Sequence, residues 1–305
     1  MNAKAETASE IGGVEISKPD KVLFPDDGIT KADLAGYYAD VADAMLPHLA
    51  DRPVNMQRFP DGIAAGSFYE KKVPSHFPDW VHTVTVDTAD GAQQQVVIAD
   101  RRALVYLADQ ACVTPHAWLS RSGALDAPDQ MVFDLDPPDD GTGSFDDVRR
   151  ATTLVGACLD DLGLTTYLKT TGSRGYHVVV PLRPDADFDT VRGLARDIAA
   201  HLAEREPDLL TVEQRKNKRG DRIFVDVLRN GYGQTAVAPY AVRARPGAPV
   251  ATPLEWDELS EVEPADFTVE SVLRRLGQHE DPWKGIRRHA QGLRKAQEKL
   301  AKTAG

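Results

Sequence analysis

The chain of 305 residues carries a net charge of −11 and is 42% hydrophobic and 27% charged, a composition typical of globular proteins that bury a core. It contains no apolar run long enough to span a membrane. Its polar start lacks the apolar segment of a secretory signal, so residues 1–12 are predicted to form a disordered leader. Two cysteines exclude a disulfide framework and a zinc site, which favours a reducing cytoplasm.

In chain order, the hydrophobic spacing first predicts a helix over residues 30–49, which Thr30 and Asp33 begin as a capping box. The next predicted elements are strands over 53–59, 82–87 and 95–100, a helix over 101–110 and a strand over 131–136. Ser144 then caps a helix that stops at Gly163. The remaining elements are strands over 165–170, 176–182 and 222–230, a helix over 187–206, an extended segment over 239–249 and a helix in the tail.

This order of elements predicts an α+β fold. Strands and helices do not alternate strictly, and the five-residue turn "TGSRG" can join only antiparallel neighbours. We therefore expect two lobes, with a mostly antiparallel sheet in the second. The predicted parts are an N-terminal α/β lobe over 13–125, a second lobe over 126–265 and a basic helical tail over 266–305.

Two segments of this acidic chain are locally basic. The net negative charge argues against nucleic acid as a partner, but a basic patch on an acidic protein can still bind phosphate. The first segment contains Arg215, Lys216, Lys218, Arg219 and Arg222. The second is the tail after Trp283, with Lys284, Arg287, Arg288, Arg294, Lys295, Lys299 and Lys302. A solvated charged surface is the alternative interpretation of the tail.

The stretch "MVFDLDPPDD" (131–140) places two carboxylates at the end of a buried strand. Because side chains alternate along a strand, Asp134 and Asp136 point to one face, where they repel each other and cannot be buried unpaired. A hard divalent cation such as Mg²⁺ or Mn²⁺ removes both objections, since it prefers oxygen ligands. Asp226, which interrupts the apolar run "IFVDVL", is the candidate third carboxylate of a two-metal site.

Structural roles are the alternative for these acids. A cap or turn role is the preferred explanation for Asp139, Asp140, Asp146 and Asp147. Taken alone, Asp226 is also better explained in this way. A calcium loop is a further alternative for "DLDPPDDG", but its required spacing and flanking helices are missing.

A glycine-rich turn, "KTTGSRGYHVVV" (169–180), is the second candidate site. Gly172 and Gly175 permit tight backbone in which successive N–H groups converge on an anion. Further polar groups come from Thr171, Ser173, Arg174 and His177. The spacing is not that of a Walker P-loop, and an ordinary hairpin turn is the alternative. Beside a metal site, the turn predicts a triphosphate cradle, to which the basic run with Arg222, and Arg243 with Arg245, would add contacts.

Six ordered blocks of the sequence resemble the archaeo-eukaryotic primase superfamily and, within it, the polymerase domain of bacterial DNA ligase D and its stand-alone relatives. The blocks are "DKVLFPDDGITKADLAGYY", "SFYEKKVP", "TPHAWLSR", "DQMVFDLDPPD", "TTGSRGYHVVVPL" and "APYAVRARPGAPVATPLEW". The resemblance as a whole runs over most of the chain, residues 14–260. The resemblance implies a primase-like fold of two lobes, with an RRM-like sheet in the catalytic lobe.

The same resemblance implies template-dependent nucleotide addition with two Mn²⁺ or Mg²⁺ ions. The matching catalytic metal ligands are Asp134, Asp136 and Asp226. The matching nucleotide contacts are His116, Thr171, Arg174 and His177, although His116 in "TPHAWLSR" is equally explained as a structural histidine. Arg174 stands where relatives often carry lysine, and the two are not identical in geometry.

DNA contacts are also implied by the resemblance. Lys21 and Lys31 match residues that hold a 5′-phosphate across a gap or break. Phe68 and Tyr69 match aromatic residues that stack on template DNA, with Lys71 nearby, an arrangement suited to sequence-independent binding. Ordinary core packing is the alternative for both aromatic residues.

The expected function is therefore gap filling, priming or non-homologous end joining, with ribonucleotides used at least as well as deoxyribonucleotides. The sequence has no K-x-D-G adenylation motif, so a separate DNA ligase and an end-binding protein such as Ku are expected partners, in the cytoplasm at the nucleoid. Two other functions stay open at this point. They are a two-metal nuclease or phosphoesterase, which needs clustered aspartates but no triphosphate cradle, and a non-catalytic factor that bridges DNA ends.

Overall fold

A computed structural model of the protein describes residues 9–88, 91–138 and 144–303. The chain divides into two compact units. The first comprises Met1–Trp118, Val237–Val250 and Phe267–His279, and the second Leu119–Ala236, Ala251–Asp266 and Glu280–Gly305. The cap or turn roles expected of Asp139 and Asp140 lie outside the described residues.

The α-helices lie close to the predicted positions. They are α1 (Lys31–Asp40), α2 (Ala42–Leu49), α3 (Arg101–Asp109), α4 (Phe145–Asp161), α5 (Phe188–Arg205), α6 (Val269–Gln278) and α7 (Arg294–Thr303). The caps at Thr30 and Ser144 are confirmed, since each side chain accepts a hydrogen bond from the backbone N–H three residues on. The single helix expected over 30–49 is wrong, because the chain bends at Val41 between α1 and α2. Its hydrophobic stripe stays buried through the bend, so the spacing alone did not reveal it.

The strands are more numerous than the sequence pattern predicted. They are β1 (Ser9–Ile11), β2 (Val14–Ile16), β3 (Val22–Phe24), β4 (Ile29–Thr30), β5 (Pro53–Arg58), β6 (Phe68–Glu70), β7 (Thr83–Thr88), β8 (Gly91–Val97), β9 (Cys112–Trp118), β10 (Gln130–Asp136), β11 (Tyr167–Thr170), β12 (Tyr176–Pro181), β13 (Leu210–Thr211), β14 (Ile223–Asp226), β15 (Thr235–Val237) and β16 (Pro253–Leu254). The disordered leader is wrong for Ser9–Ile11, which pair with β2. Residues 1–8 lie outside the described part.

The first unit is built on an antiparallel sheet with the order β9-β5-β8-β7. Strand β8 pairs with Pro53 and Val54 of β5, and β6 pairs with Met56, Gln57 and Arg58 of the same strand. Helices α1 and α3 pack on each other, and the Tyr38 hydroxyl donates to the carbonyl of Val113 at 2.6 Å. Strand β9 was missed from the sequence. All seven of its residues are buried, so it shows no alternation, and Pro115 within it argues against a strand.

The second unit is built on a six-stranded sheet with the order β13-β14-β10-β12-β11-β16. All of its pairings are antiparallel except β13 with β14. Helices α4 and α5 contact β10, and the Asn230 side chain bonds both the N–H and the carbonyl of Val132. The predicted α+β class with a mostly antiparallel sheet is confirmed.

The division into units differs from the predicted lobes. The chain leaves the first unit after Trp118 instead of after residue 125, and residues 266–305 are not a separate tail. Helix α6 belongs to the first unit, whereas Trp283 is 1% exposed in the second unit, where its Nε1 donates to the carbonyl of Leu168 at 2.8 Å. The large buried indole anchors a segment that its basic composition alone suggested was solvated. Within the described ranges, no helix is both long enough and apolar enough to cross a membrane.

Candidate active site

Strand β10 occupies the middle of the second unit's sheet and places Asp134 between two polar neighbours. Its register pairs Asp134 with His177 of β12 on one side and with Asp226 of β14 on the other. Directly opposite residues of paired strands project from the same face, so these three side chains share one face of the sheet. Strand alternation in the sequence predicted that Asp134 and Asp136 point to the same face of the sheet. The register shows that Asp226 projects from that face as well.

Asp136 ends β10, and its register partner on β14 is Phe224, two residues before Asp226. Pro137 and Pro138 follow at once, and proline cannot continue the ladder of hydrogen bonds. Asp226 Oδ1 accepts a hydrogen bond from the N–H of Leu228 at 2.7 Å, which fixes that carboxylate at the start of the turn after β14. The three carboxylates therefore lie together where the last three residues of β10 and β14 pair in antiparallel register.

Asp134 is held as an anion by its surroundings. It is 4% exposed, with Oδ1 3.3 Å from His177 Nε2 and Oδ2 3.4 Å from Arg229 Nε. Burial by itself raises the pKa of Asp134, but the close contact with His177 and the charges of Arg229 and Lys169 more than offset it and bring the pKa below its usual range. Burial lowers the pKa of His177 to about 4, so the imidazole is neutral at pH 7, and Arg229 and Lys169 carry the compensating charge.

The other two carboxylates are not compensated to the same extent. Burial, followed by repulsion from Asp134, raises the pKa of Asp136 to about 7. The pKa of Asp226 is also raised, mainly by burial, against the opposing effect of the Leu228 N–H. Neighbouring buried carboxylates with raised pKa values are the electrostatic signature of a place where a cation fits.

The side chains as placed do not converge on one point. Among residues 9–88, 91–138 and 144–303, no three His, Cys, Asp or Glu side chains are arranged to hold a metal ion. Asp134 instead contacts His177 and Arg229. The oxygen ligands and their shared face suit Mg²⁺ or Mn²⁺, provided that Asp134 exchanges its contact with Arg229 for the cation.

The glycine turn lies against the end of β10. Thr171 closes it, since both its N–H and its hydroxyl donate to the carbonyl of Gly175 at 2.9 Å. Gly172 has φ +61°, a left-handed conformation that favours glycine. Arg174 donates to the carbonyl of Pro138 at 3.3 Å, and its charge acts on Asp136. The structure thus brings the predicted cradle and the predicted carboxylates together, with Ser173 half-buried in the turn.

The basic run is partly tied down by its own backbone. Arg222 donates to the carbonyls of Arg219 and Lys218 at 2.8 and 2.9 Å, so its guanidinium holds the loop together. Arg219 stacks over the ring of Phe224 at 3.6 Å, on the strand that carries Asp226. Stacking therefore places the Arg219 guanidinium beside the carboxylate site, whereas the sequence singled out Arg222.

Two charged residues of the site were not predicted as site residues. Arg229 lies in the 3-10 turn Leu228–Asn230 that follows β14, and Lys169 lies in β11, opposite His177. The sequence showed Arg229 three residues after Asp226, but only the turn directs it back to Asp134. Lys169 preceded the glycine turn in the quoted motif without receiving a role.

The first unit carries His116, Arg243 and the residues expected to contact DNA. His116 is 9% exposed in β9 and makes an edge contact with Tyr69, with ring centroids 5.4 Å apart. Phe68 and Tyr69 are 47% and 53% exposed, so the core-packing alternative is wrong for both. Arg243 is half-buried, and Lys71 is exposed.

The two lysines expected at a 5′-phosphate have different surroundings. Lys21 Nζ lies 2.9 Å from Asp61 on the surface. Lys31 is 6% exposed, and its Nζ lies 3.1 Å from Asp109 and 2.8 Å from the Ser17 hydroxyl. This geometry favours a structural role for Lys31 and leaves Lys21 as the accessible cation of the pair.

Three carboxylates on adjacent strands of an α+β fold, next to a basic glycine turn, are an arrangement that suits a metal-dependent nucleotidyltransferase. The family described as "LigD, primase-polymerase domain" matches residues 30–283, and the chain belongs to that family. Members of this family are polymerase- and primase-type nucleotidyltransferase domains. The nuclease and the non-catalytic alternatives are therefore not supported.

Curated relatives match the chain over most of its length. The multifunctional non-homologous end joining protein LigD of Mycolicibacterium smegmatis is 35% identical over 270 residues, which are 88% of this chain and 35% of that protein. The LigD of Pseudomonas aeruginosa is 35% identical over 281 residues, 89% of this chain and 32% of its own length. The bifunctional LigD of Bacillus subtilis is 30% identical over 280 residues, 91% and 45% respectively. The chain thus spans about a third to a half of these relatives.

The fold agrees with a solved structure, the polymerase domain from Mycobacterium tuberculosis ligase D in complex with DNA. The TM-score is 0.84 at 31% identity, and the match covers 91% of this chain and 99% of the other. The predicted primase-like fold is confirmed by this likeness.

Proposed function

We propose that the protein adds nucleotides, directed by a template, to primer ends at gaps or breaks in DNA, and that Mn²⁺ or Mg²⁺ supports the reaction. The observation that carries the proposal is the register that aligns Asp226, Asp134 and His177 across three strands. A nuclease would need the carboxylates alone, whereas this site also has a glycine turn with Arg174 beside Asp136.

Asp134, Asp136 and Asp226 are the residues that would hold two divalent ions. When bound, such ions lower the pKa of the primer 3′-hydroxyl and offset charge on the triphosphate. His177 is too deeply buried, at 2% exposure, to contact a nucleotide as placed, so we assign it to orienting Asp134. Arg174 and the N–H groups of the turn bind the triphosphate, and Arg229 offsets the charge that Asp134 carries.

DNA binding is assigned to the first unit. Phe68 and Tyr69 offer exposed rings on which template bases can stack, with Lys71 nearby. Lys21 is the proposed contact for a downstream 5′-phosphate, and a nucleotide contact is retained for His116 and Arg243. A few such cations are needed because a chain with a net charge of −11 repels duplex DNA as a whole.

The biological setting follows the family. We propose that the enzyme works on gapped or broken DNA at the nucleoid in the cytoplasm, alongside an end-binding protein such as Ku and a DNA ligase. Ribonucleotides should be accepted at least as well as deoxyribonucleotides. This part of the proposal rests on the family and not on a residue of the site.

Primer extension on gapped DNA, with NTP and dNTP in parallel, tests the proposal. Each of the variants Asp134→Asn, Asp136→Asn and Asp226→Asn should lower the rate of nucleotide addition at least about a hundredfold. Each removes a proposed metal ligand, and bound metal ions stabilise the charge of the transition state by several kcal/mol. The matched control is Asp160→Asn, an exposed carboxylate on α4 outside the site, which should extend like the parent. Near-normal extension by any of the three site variants would show that the three-carboxylate site is wrong.

A further inference from the structure

A buried lysine extends the line of Asp226, Asp134 and His177 across the sheet. Lys169 of β11 is directly opposite His177, which is itself opposite Asp134, and Asp134 is opposite Asp226. We call these four residues on four adjacent strands the polar row: Lys169, His177, Asp134 and Asp226. Directly opposite residues share a face, so the Lys169 side chain emerges on the face that carries the site.

Lys169 is 2% exposed, so its ammonium is kept out of water. A buried charge is costly unless it is balanced by nearby opposite charge. Adjacent strands lie about 4.8 Å apart, so the Cα atoms of Lys169 and Asp134 are separated by about 10 Å. At this depth the side chain cannot follow a substrate into solvent, and its influence on the site is exerted through the electric field.

The electrostatics of the row agree with this position. Burial lowers the pKa of His177, and the charge of Lys169 is the next largest influence in the same direction. The charge of Lys169 also helps to hold down the pKa of Asp134, after His177 and Arg229. Lys169 therefore acts across β12 on the carboxylate at the centre of the site.

The side chains of the site nearly balance in charge. With all three carboxylates ionised, Asp134, Asp136 and Asp226 carry three negative charges. The positive charges belong to Lys169 and Arg229, which act on Asp134, to Arg174, which acts on Asp136, and to Arg219, which acts on Asp226. Two divalent cations and a fully ionised triphosphate also balance each other. Removing Lys169 would take one positive charge from the site both before and after the substrates bind.

We propose that Lys169 is a buried counter-charge that weakens the binding of divalent cations to the site before nucleotide binds and strengthens the binding of the triphosphate. The inference rests on the proposed function of the same site. A fixed positive charge repels a divalent cation and attracts a polyanion, and both effects persist at about 10 Å in a protein interior, where the effective dielectric constant is about 20. A merely structural lysine would not shift the two affinities in opposite directions.

The test compares Lys169→Met, which removes the charge at similar length, with the parent protein. Mn²⁺ binding without nucleotide is measured from the electron paramagnetic resonance signal of free Mn²⁺. ATP binding without DNA is measured at saturating Mn²⁺. We expect Lys169→Met to bind Mn²⁺ at least about fivefold more tightly and ATP at least about fivefold more weakly.

Two control variants separate charge from packing. Leu168→Met changes a buried residue of the same strand that faces the opposite side of the sheet, and it should bind both ligands like the parent. Lys169→Arg keeps the positive charge, so its affinities for Mn²⁺ and for ATP should be close to those of the parent. If Lys169→Met does not fold, as judged by its melting curve, Lys169→Gln is the neutral variant to measure.

Equal affinities in Lys169→Met and the parent would overturn the inference, as would weaker binding of both ligands together. Failure of the proposed function would look different. In that case the parent and Asp134→Asn would bind Mn²⁺ equally, because no metal site would exist at the carboxylates.

Discussion

A methyl group at Gly175 would lie 1.9 Å from the backbone carbonyl oxygen of Leu135. The obstructing atom belongs to the main chain of β10, so no side-chain rotation can relieve the clash. The glycine turn therefore packs against the strand that carries Asp134 and Asp136 only because residue 175 lacks a Cβ atom. The close approach couples the proposed triphosphate cradle to the carboxylates.

Gly175→Ala should accordingly displace the turn from β10. Overpacking of this kind costs about 1–3 kcal/mol of unfolding free energy, and a main-chain clash belongs at the upper end. Nucleotide addition should fall more than the loss of stability explains. Gly193→Ala is the matched control, because a Cβ there meets nothing within 4 Å and alanine stabilises a helix interior by about 1 kcal/mol. Denaturant unfolding and primer extension of both variants check this, and a fully active Gly175→Ala would contradict it.

The stability of the metal-free protein should fall as the pH rises through 7. The pKa of Asp136 is raised to about 7 in the folded protein, from an ordinary value of about 3.8 when unfolded. The folded state therefore binds more protons between these values, and its stability decreases with rising pH until Asp136 is ionised. The raised pKa of Asp226 acts in the same direction.

Asp136→Asn should remove most of this pH dependence, since asparagine does not titrate. The prediction is tested by measuring melting temperatures between pH 5 and 9 in the presence of a chelator. Above pH 7, the melting temperature of the variant should be higher than that of the parent. Added Mn²⁺ should restore the stability of the parent protein above pH 7, because metal ions bind to ionised carboxylates. Parallel curves for the variant and the parent would show that Asp136 does not titrate in this range.

Lys21→Ala and Lys31→Ala should fail in different ways. Lys21 is on the surface, so its loss should weaken binding to gapped DNA that carries a 5′-phosphate and lower the salt slope by about one unit. Lys31→Ala leaves Asp109 buried without its cation, which should cost about 3 kcal/mol of unfolding free energy. Binding at several salt concentrations, with and without the 5′-phosphate, and denaturant unfolding distinguish the two. A normally stable Lys31→Ala that has lost recognition of the 5′-phosphate would return Lys31 to the DNA surface.

Phe68→Ala should weaken template binding by about 1–3 kcal/mol per stacked base, with little dependence on salt. The ring is 47% exposed, so the fold should be unaffected. Phe145→Ala removes a ring of similar exposure, 41%, from α4 of the second unit, and this variant should bind DNA like the parent. Equal binding by both variants would argue against stacking at Phe68.

Local pattern sufficed for much of the architecture. Helix caps at Thr30 and Ser144 and the strand with Asp134 depend on residues a few positions apart, and the structure has them where the sequence placed them. Strand alternation also predicted that Asp134 and Asp136 share a face. These features follow from backbone geometry, which repeats every few residues.

Long-range pairing decided the rest. Asp226 joins Asp134 only through the register of β14 on β10, and Lys169 reaches the same row through β11 and β12. Lys31 matched a DNA-contacting residue by sequence, but its contact with Asp109, 78 residues away, buries it. By itself, the sequence determined the local elements and the types of residue available for chemistry. Only the tertiary structure decided which charges neutralise one another, because electrostatic energy depends on distance and burial in the folded chain and not on separation along it.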